Sequence, residues 1–172
     1  MSKRGQVLGL QRLVEIGQWV EGELQKRSSI RLHYSWPMAF YSLKHLLNLD
    51  GHSCNIFNIL GILPSGHLAM CGIGIQVPDL CYGLLGEDPI ADLWTSNPIL
   101  ADLRQSLPKD LEGVCGKCIF RGQCLGSCVA ENYHTYGKLV APFWFCQEAY
   151  AKGFFPLSRL RELTEVLPSR EV

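Results

Sequence analysis

Apolar residues recur at three- and four-residue steps over residues 6–27, where Leu13, Ile16, Val20 and Leu24 share a face with Trp19 beside them. Arg12, Glu15 and Glu21 fall elsewhere, so the period predicts an amphipathic helix. Gly17 and Gly22 weaken it. After Ser28-Ser29, the apolar–polar alternation from Ile30 to Tyr34 predicts a short strand. One helix followed by one strand leaves a sheet edge that wants neighbours. Such a unit either packs locally or is the last α/β unit of something larger.

Pro37 ends that strand, and Ala39–Leu47 reads as a short helix with Leu43, Leu46 and Leu47 on one side. Asp50-Gly51 is a turn that delivers Cys54. Ile56 to Ile62 is mostly apolar, Pro64-Ser65-Gly66 reverses the chain, and His67 to Met70 returns, which predicts a β-hairpin. Cys54 precedes the outgoing strand and Cys71 follows the returning one. The hairpin would therefore bring two distant cysteines side by side.

Cys71 to Gly74 reads as a loop, and Val77 to Gly86 is apolar with turn residues around Cys81. Asp88-Pro89 and Asn97-Pro98 each set a cap before a proline, predicting helices through Trp94 and to about Ser106. A polar connection, Pro108 to Gly113, leads to the cysteine-rich stretch. Val129 to Tyr136 predicts a helix stopped by Gly137, and Gln147 to Lys152 one closed by Gly153. The tail from Phe154 carries Leu160, Leu163 and Leu167 in a charged background, as a surface helix would.

Composition narrows the class. The 172 residues are 47% hydrophobic and 19% charged, enough for a core and too apolar for a disordered chain. Sixteen basic and sixteen acidic residues cancel, leaving no net field to draw nucleic acid or an anionic membrane. Polar residues interrupt the N-terminal apolar run, so neither a signal peptide nor a membrane span is expected. A cytoplasmic setting follows, and there eight cysteines more often bind metal than pair as disulfides.

The chemistry concentrates in Cys115 to Cys128, spaced C-x2-C-x5-C-x3-C with Gly116, Gly122 and Gly126 between. Thiolates three residues apart on a tight turn grip a metal centre from one side, and adjacent glycines let backbone N–H groups approach sulfur. Cys115, Cys118 and Cys124 are able to share one centre, while Cys128 is free to point elsewhere. Cys54 and Cys71 need further partners, and Cys146, in the aromatic run Pro142 to Cys146, is a spare ligand for either centre. Two zinc sites of four thiolates would use all eight cysteines; iron–sulfur clusters use the same ligands and are known to interleave them. Spacing alone leaves the two open. His52, His67 and His134 stand alone in sequence, Glu131 and Asp79 show no partner group, and Trp94 and Trp144 read as core.

The order Cys54-x11-Gly66-x4-Cys71, then Cys115-x2-Cys118-x5-Cys124-x3-Cys128, then Cys146 resembles the SPASM domain. That domain is the C-terminal extension of many radical S-adenosylmethionine enzymes that mature peptides and proteins. The match spans roughly residues 50–150, including the segment with Trp94 and Asn97-Pro98. The resemblance implies an α+β fold in three parts: a barrel-end remnant at 1–48, a twin-cluster domain at 49–153 and a tail helix at 154–172. It implies two 4Fe–4S clusters, the first on Cys54, Cys71 and Cys128, the second on Cys115, Cys118, Cys124 and Cys146. The fourth position of the first cluster falls to Cys81 or stays open.

The chain departs from the radical enzymes at their catalytic motif, C-x3-C-x2-C. Its one C-x3-C is Cys124 to Cys128, and position 131 is Glu131. The resemblance therefore implies electron transfer and substrate positioning, with S-adenosylmethionine bound elsewhere. The implied partners are a peptide or protein substrate and a radical-barrel subunit. A zinc-stapled module that binds a peptide or protein without redox work is the competing expectation.

Overall fold

The computed structural model describes residues 8–32, 34–47 and 54–161. The Asp50-Gly51 turn, His52 and the tail beyond Arg161 lie outside the described residues. The chain is an α+β fold in which short helices surround a three-stranded antiparallel sheet of order β1-β2-β3.

The N-terminal helix forms as α1 (Leu10–Trp19), passes through a π-helical turn (Val20–Leu24) and ends as α2 (Gln25–Arg27). Its buried face is turned from the expected one: Leu10, Val14 and Gly17 point inward, and Trp19 is exposed. Gly17 is the reason. A Cβ there would sit 2.3 Å from the Trp36 ring and 2.8 Å from that of Tyr34, so the missing side chain is the seat for two aromatics. Tyr34 Oη also donates to the Leu13 carbonyl at 2.8 Å.

The strand expected over Ile30 to Tyr34 is not formed by the described residues there. No strand among the described residues pairs with it. Its backbone bonds to a side chain instead: Leu32 N donates to Gln25 Oε1 at 2.7 Å, and Gln25 Nε2 donates to the Ile30 carbonyl at 3.0 Å. The helix expected over Ala39–Leu47 is split into a 3-10 turn (Met38–Phe40) and α3 (Leu43–Leu46), because Ser42 takes the N-cap role and accepts from His45 N. Ser42 in turn donates to Glu21 of the π-helical turn, which ties α3 to the first helix.

The hairpin is present but shorter than its apolar run. Residues Asn55 to Asn58 form a turn, and β1 is only Gly61–Ile62, paired with β2 (His67–Ala69) through Gly61↔Ala69 and Ile62↔Leu68. The third strand, β3 (Cys81–Leu84), comes from the segment read as apolar turns. Leu68 faces Gly83 and Ala69 faces Cys81, so Tyr82 is the extra residue of a β-bulge.

Helix α5 (Pro98–Ser106) follows its expected proline start, whereas α4 (Ile90–Ser96) begins one residue later, with Pro89 itself at the N-cap. Asn97 caps α5 by accepting from Ile99 N at 2.9 Å, whereas Asp88 accepts from Leu84 N and closes the turn after β3. Leu100 and Leu103 of α5 are fully buried with Leu68, Met70, Leu80, Val114 and Val129. Two short helices, α6 (Gly113–Lys117) and α7 (Arg121–Cys124), stand inside the cysteine-rich stretch, followed by α8 (Val129–Tyr136) and α9 (Trp144–Ala151). Of the expected tail helix only Phe154 to Arg161 lies among the described residues: Phe155 is buried, Leu157–Arg159 makes a 3-10 turn, and Leu160 bridges to Cys118, while Leu163 and Leu167 lie outside them.

Contacts run across both expected part boundaries. Phe40 meets Phe145 and Phe155 edge-on at 5.1 and 5.9 Å, and Arg159 donates to the carbonyls of Ala39 and Tyr41. Replacing Gly17 by Ala forces a methyl into the Trp36 ring and should destabilise the chain by about 1–3 kcal/mol, outweighing the helix propensity gained. Thermal unfolding followed by circular dichroism checks this; an unchanged or higher Tm would show that Trp36 yields freely.

Candidate metal centre

Cys115 sits in α6, Cys118 just after it, Cys124 at the end of α7 and Cys146 in the first turn of α9. Together they line one small cavity with Val114, Phe120, Pro37, Ala39, Gly126 and Phe155. Glycines allow the approach. A Cβ at Gly116 would meet the Leu111 carbonyl oxygen at 2.1 Å, and Gly113 adopts φ +58° where Gln147 Oε1 accepts from Val114 N. The last of these bonds fixes the start of α6 to α9.

Backbone N–H groups point at the sulfurs of this set. Phe143 N donates to Cys115 Sγ and Phe120 N to Cys118 Sγ, each at 3.4 Å, while Ser127 and Met38 N–H groups serve Cys124. Burial pushes the Cys124 thiol up to about 11, against those two donors. Burial likewise raises Cys118, partly offset by Phe120 N–H and by the nearby Arg159 guanidinium. Cys115 and Cys146 act as a pair: hydrogen bonding between the thiols lowers Cys115 and raises Cys146, so Cys115 is the readier thiolate.

Cys54, Cys71 and Cys128 form a second gathering near the open end of the hairpin. The Cys54 thiol is raised first by burial, with Cys128 and Cys71 adding to it, and it faces the N–H groups of Ile56 and Val129. Cys128 is raised by burial, then by the Glu131 carboxylate and Cys71, and is served by the N–H groups of Glu131 and Ala130. Close packing brings Cys71 in: a Cβ on Gly61 would lie 2.7 Å from the Cys71 carbonyl carbon. Cys81 behaves differently. Its thiol leans on the Gly74 carbonyl at 4.0 Å and lines an outward groove with His67, Ser65 and Pro78.

What separates the two gatherings is a turn. Leu125, Gly126 and Ser127 are all left-handed, at φ 52°, 77° and 65°. Residues four apart in a continuous helix share a face, so without this reversal Cys124 and Cys128 would point the same way. For Leu125 and Ser127 the conformation costs roughly 1–2 kcal/mol each. Asn132, buried in α8, holds the turn by donating from Nδ2 to the Gly126 carbonyl at 2.8 Å. Nothing in the local pattern marks Asn132, Met38 or Arg159 as neighbours of the cysteines. The apolar positions around Pro37 and Phe155 were legible only as core.

The other candidates are engaged elsewhere. Glu131 Oε1 accepts from Trp144 Nε1 at 2.8 Å, Tyr133 Oη reaches Asp79 at 3.4 Å, and His67 Nδ1 bonds Ser65 Oγ at 2.9 Å. Among the described residues, no group of three or more His, Cys, Asp or Glu side chains is placed to hold a single metal ion. The cysteines gather, but not around one ion's centre. No family model matches the chain, nor does any curated protein or solved structure compared with it.

The raised Cys124 thiol has a pH consequence in the metal-free chain. The fold keeps a proton that the unfolded chain releases near pH 9, so the stability tied to this thiol is complete below about pH 9 and falls towards pH 11. The loss amounts to about 3 kcal/mol. Urea unfolding of wild type and Cys124→Ala across that range isolates it from other titrating groups. Parallel pH curves would show that Cys124 stays solvated.

Proposed function

We propose that this chain is an iron–sulfur protein carrying two 4Fe–4S clusters, one on Cys115, Cys118, Cys124 and Cys146, the other on Cys54, Cys71 and Cys128. It would serve electron transfer and substrate positioning in the radical maturation of a peptide or protein, as a part or partner of a radical S-adenosylmethionine enzyme. The observation that carries this is the pair of cysteine gatherings divided by the left-handed turn at Leu125–Ser127. Interleaved ligation, in which the last cysteine of a run serves the other cluster, needs such a reversal.

The donor set fits the group. Cysteine thiolates are the ligands that iron–sulfur clusters take, and two separate sets of them are what two clusters would need. Backbone N–H groups directed at cysteine sulfur neutralise part of a cluster's charge and help set its potential. Apolar walls from Val114, Phe120 and Phe155 keep water from the gathering of Cys115, Cys118, Cys124 and Cys146. Bound clusters would supply one-electron steps. The protein's own work is to hold the thiolates, exclude water and keep Arg159 beside Cys118.

Two features favour a division of labour with another chain. Position 131, where a third cysteine would complete C-x3-C-x2-C, is a glutamate already bonded to Trp144. Cys81 leans on the Gly74 carbonyl, which supports the reading in which three cysteines hold the first cluster and its fourth position would be open to a substrate group.

Anaerobic purification with iron, sulfide and zinc analysis tests the proposal. About eight irons and eight sulfides per chain in a brown protein are expected; a colourless protein with about one or two zinc ions would make it a zinc-stapled binding module. Cys118→Ala should lose about half of the iron and lower the Tm. If neither changes in that variant, Cys118 is not a ligand.

A further inference from the structure

From Gly113 to Ala130 the chain holds Lys117 and Arg121 and no acidic residue. From Ala149 to Arg161 it holds Lys152, Arg159 and Arg161, again with no acidic residue. The fold lays these two stretches side by side, since Ile119 N donates to the Arg159 carbonyl at 2.9 Å and Cys118 bridges to Leu160. The carboxylates that flank them are engaged: Glu112 with Lys138 at 3.0 Å, Glu131 with Trp144 Nε1 and Glu148 with Lys152. Glu162 lies outside the described residues. Lys117 and Arg161 are exposed, Arg121 and Arg159 half-buried. The same two stretches expose apolar Ile119 (41%) and Leu157 (59%). The result is a basic surface with an apolar component.

What lies beneath sets this surface apart. Phe120 and Arg121 line the cavity shared by Cys115, Cys118, Cys124 and Cys146. Phe120 N donates to Cys118 Sγ at 3.4 Å, and Arg159 Cζ stands 5.6 Å from the centre of the Phe120 ring. A single layer of side chains therefore separates those thiols from the basic surface. Electron tunnelling falls steeply with distance, so a carrier on this side is well placed to reach a centre held there.

We propose that the surface around Lys117, Arg121, Arg159 and Arg161 docks an acidic one-electron carrier protein, and that the second cluster passes its electron out through it. The inference rests on the two-cluster reading. The reduced cluster loses one electron and the oxidised carrier gains it; no bond of this chain is made or broken. Redox encounters bury little area and are steered by complementary charge. Sixteen basic and sixteen acidic residues cancel over the whole chain, so the steering field has to be local, and a one-signed surface supplies it.

The test uses the anaerobically purified, cluster-loaded chain, reduced and freed of excess reductant, with oxidised acidic flavodoxin as the carrier. Its one-electron reduction is followed by stopped-flow absorbance for wild type and for Lys117→Glu/Arg161→Glu. The wild-type rate should fall as salt is added, and at low salt the variant should be slower by about tenfold or more. A small uncharged quinone should be reduced equally fast by both. Binding is read separately: carbodiimide cross-linking to flavodoxin should join the Lys117 amine to a carrier carboxylate. Equal flavodoxin rates in the two proteins, a wild-type rate indifferent to salt, or cross-links confined to other lysines would overturn the inference and leave the two-cluster reading standing. An iron-free wild type would overturn both. Should the double variant lose iron, Lys117→Glu alone decides by the same comparison of flavodoxin with quinone.

Discussion

The left-handed turn between Cys124 and Cys128 is the constraint on which the arrangement of the protein depends. It ends α7, starts α8 in a new direction and sends neighbouring cysteines of one run to opposite sides. Two of its three residues carry side chains, so the surrounding structure must hold them there. Leu125 is buried, Asn132 fastens the Gly126 carbonyl from the next helix, and Ser127 N closes back onto the Cys124 carbonyl at 2.9 Å.

The rest of the fold serves as walls for what that turn divides. On one side the aromatic segment from Trp36 to Tyr41 packs against Phe145 and Phe155, and its Met38 N–H reaches the Cys124 sulfur. Arg159 ties the tail to the same segment through two carbonyls while standing near Cys118 and over the Phe120 ring. Thiols ionised in that apolar setting would concentrate negative charge, which a fixed guanidinium and directed N–H groups would partly offset. On the other side the hairpin, kept narrow by Gly61, sets Cys71 beside Cys54 and Cys128. The helices α4 and α5 bury Leu100 and Leu103 and carry no cysteine.

Several expectations failed for one reason. Ile30 to Tyr34 alternates like a strand, but a strand exists only where another backbone completes its ladder, and here the Gln25 side chain bonds the Ile30 carbonyl and the Leu32 N–H. Val77 to Gly86 shows too many turn residues to read as a strand, yet β2 offers an open edge and Cys81–Leu84 takes it. Gly17 lowers helix propensity in isolation and is nonetheless the seat of Trp36.

The sequence by itself determined the short-range features: the starts of α4 just after Pro89 and of α5 at Pro98, the Asn97 cap, the Gly137 stop, the reversal at Pro64–Gly66 and the dense spacing of four cysteines. Each depends on interactions within a few residues, so local chemistry suffices to specify it. Which cysteines stand together could be suggested from spacing and resemblance alone. Their placement was decided by long-range contacts: the N-terminal segment and the tail closing on Cys118 and Cys124, Asn132 holding the turn, and the close approach of Gly61 to Cys71. Those contacts join residues distant along the chain, and only packing into one core selects them among the alternatives that local patterns allow.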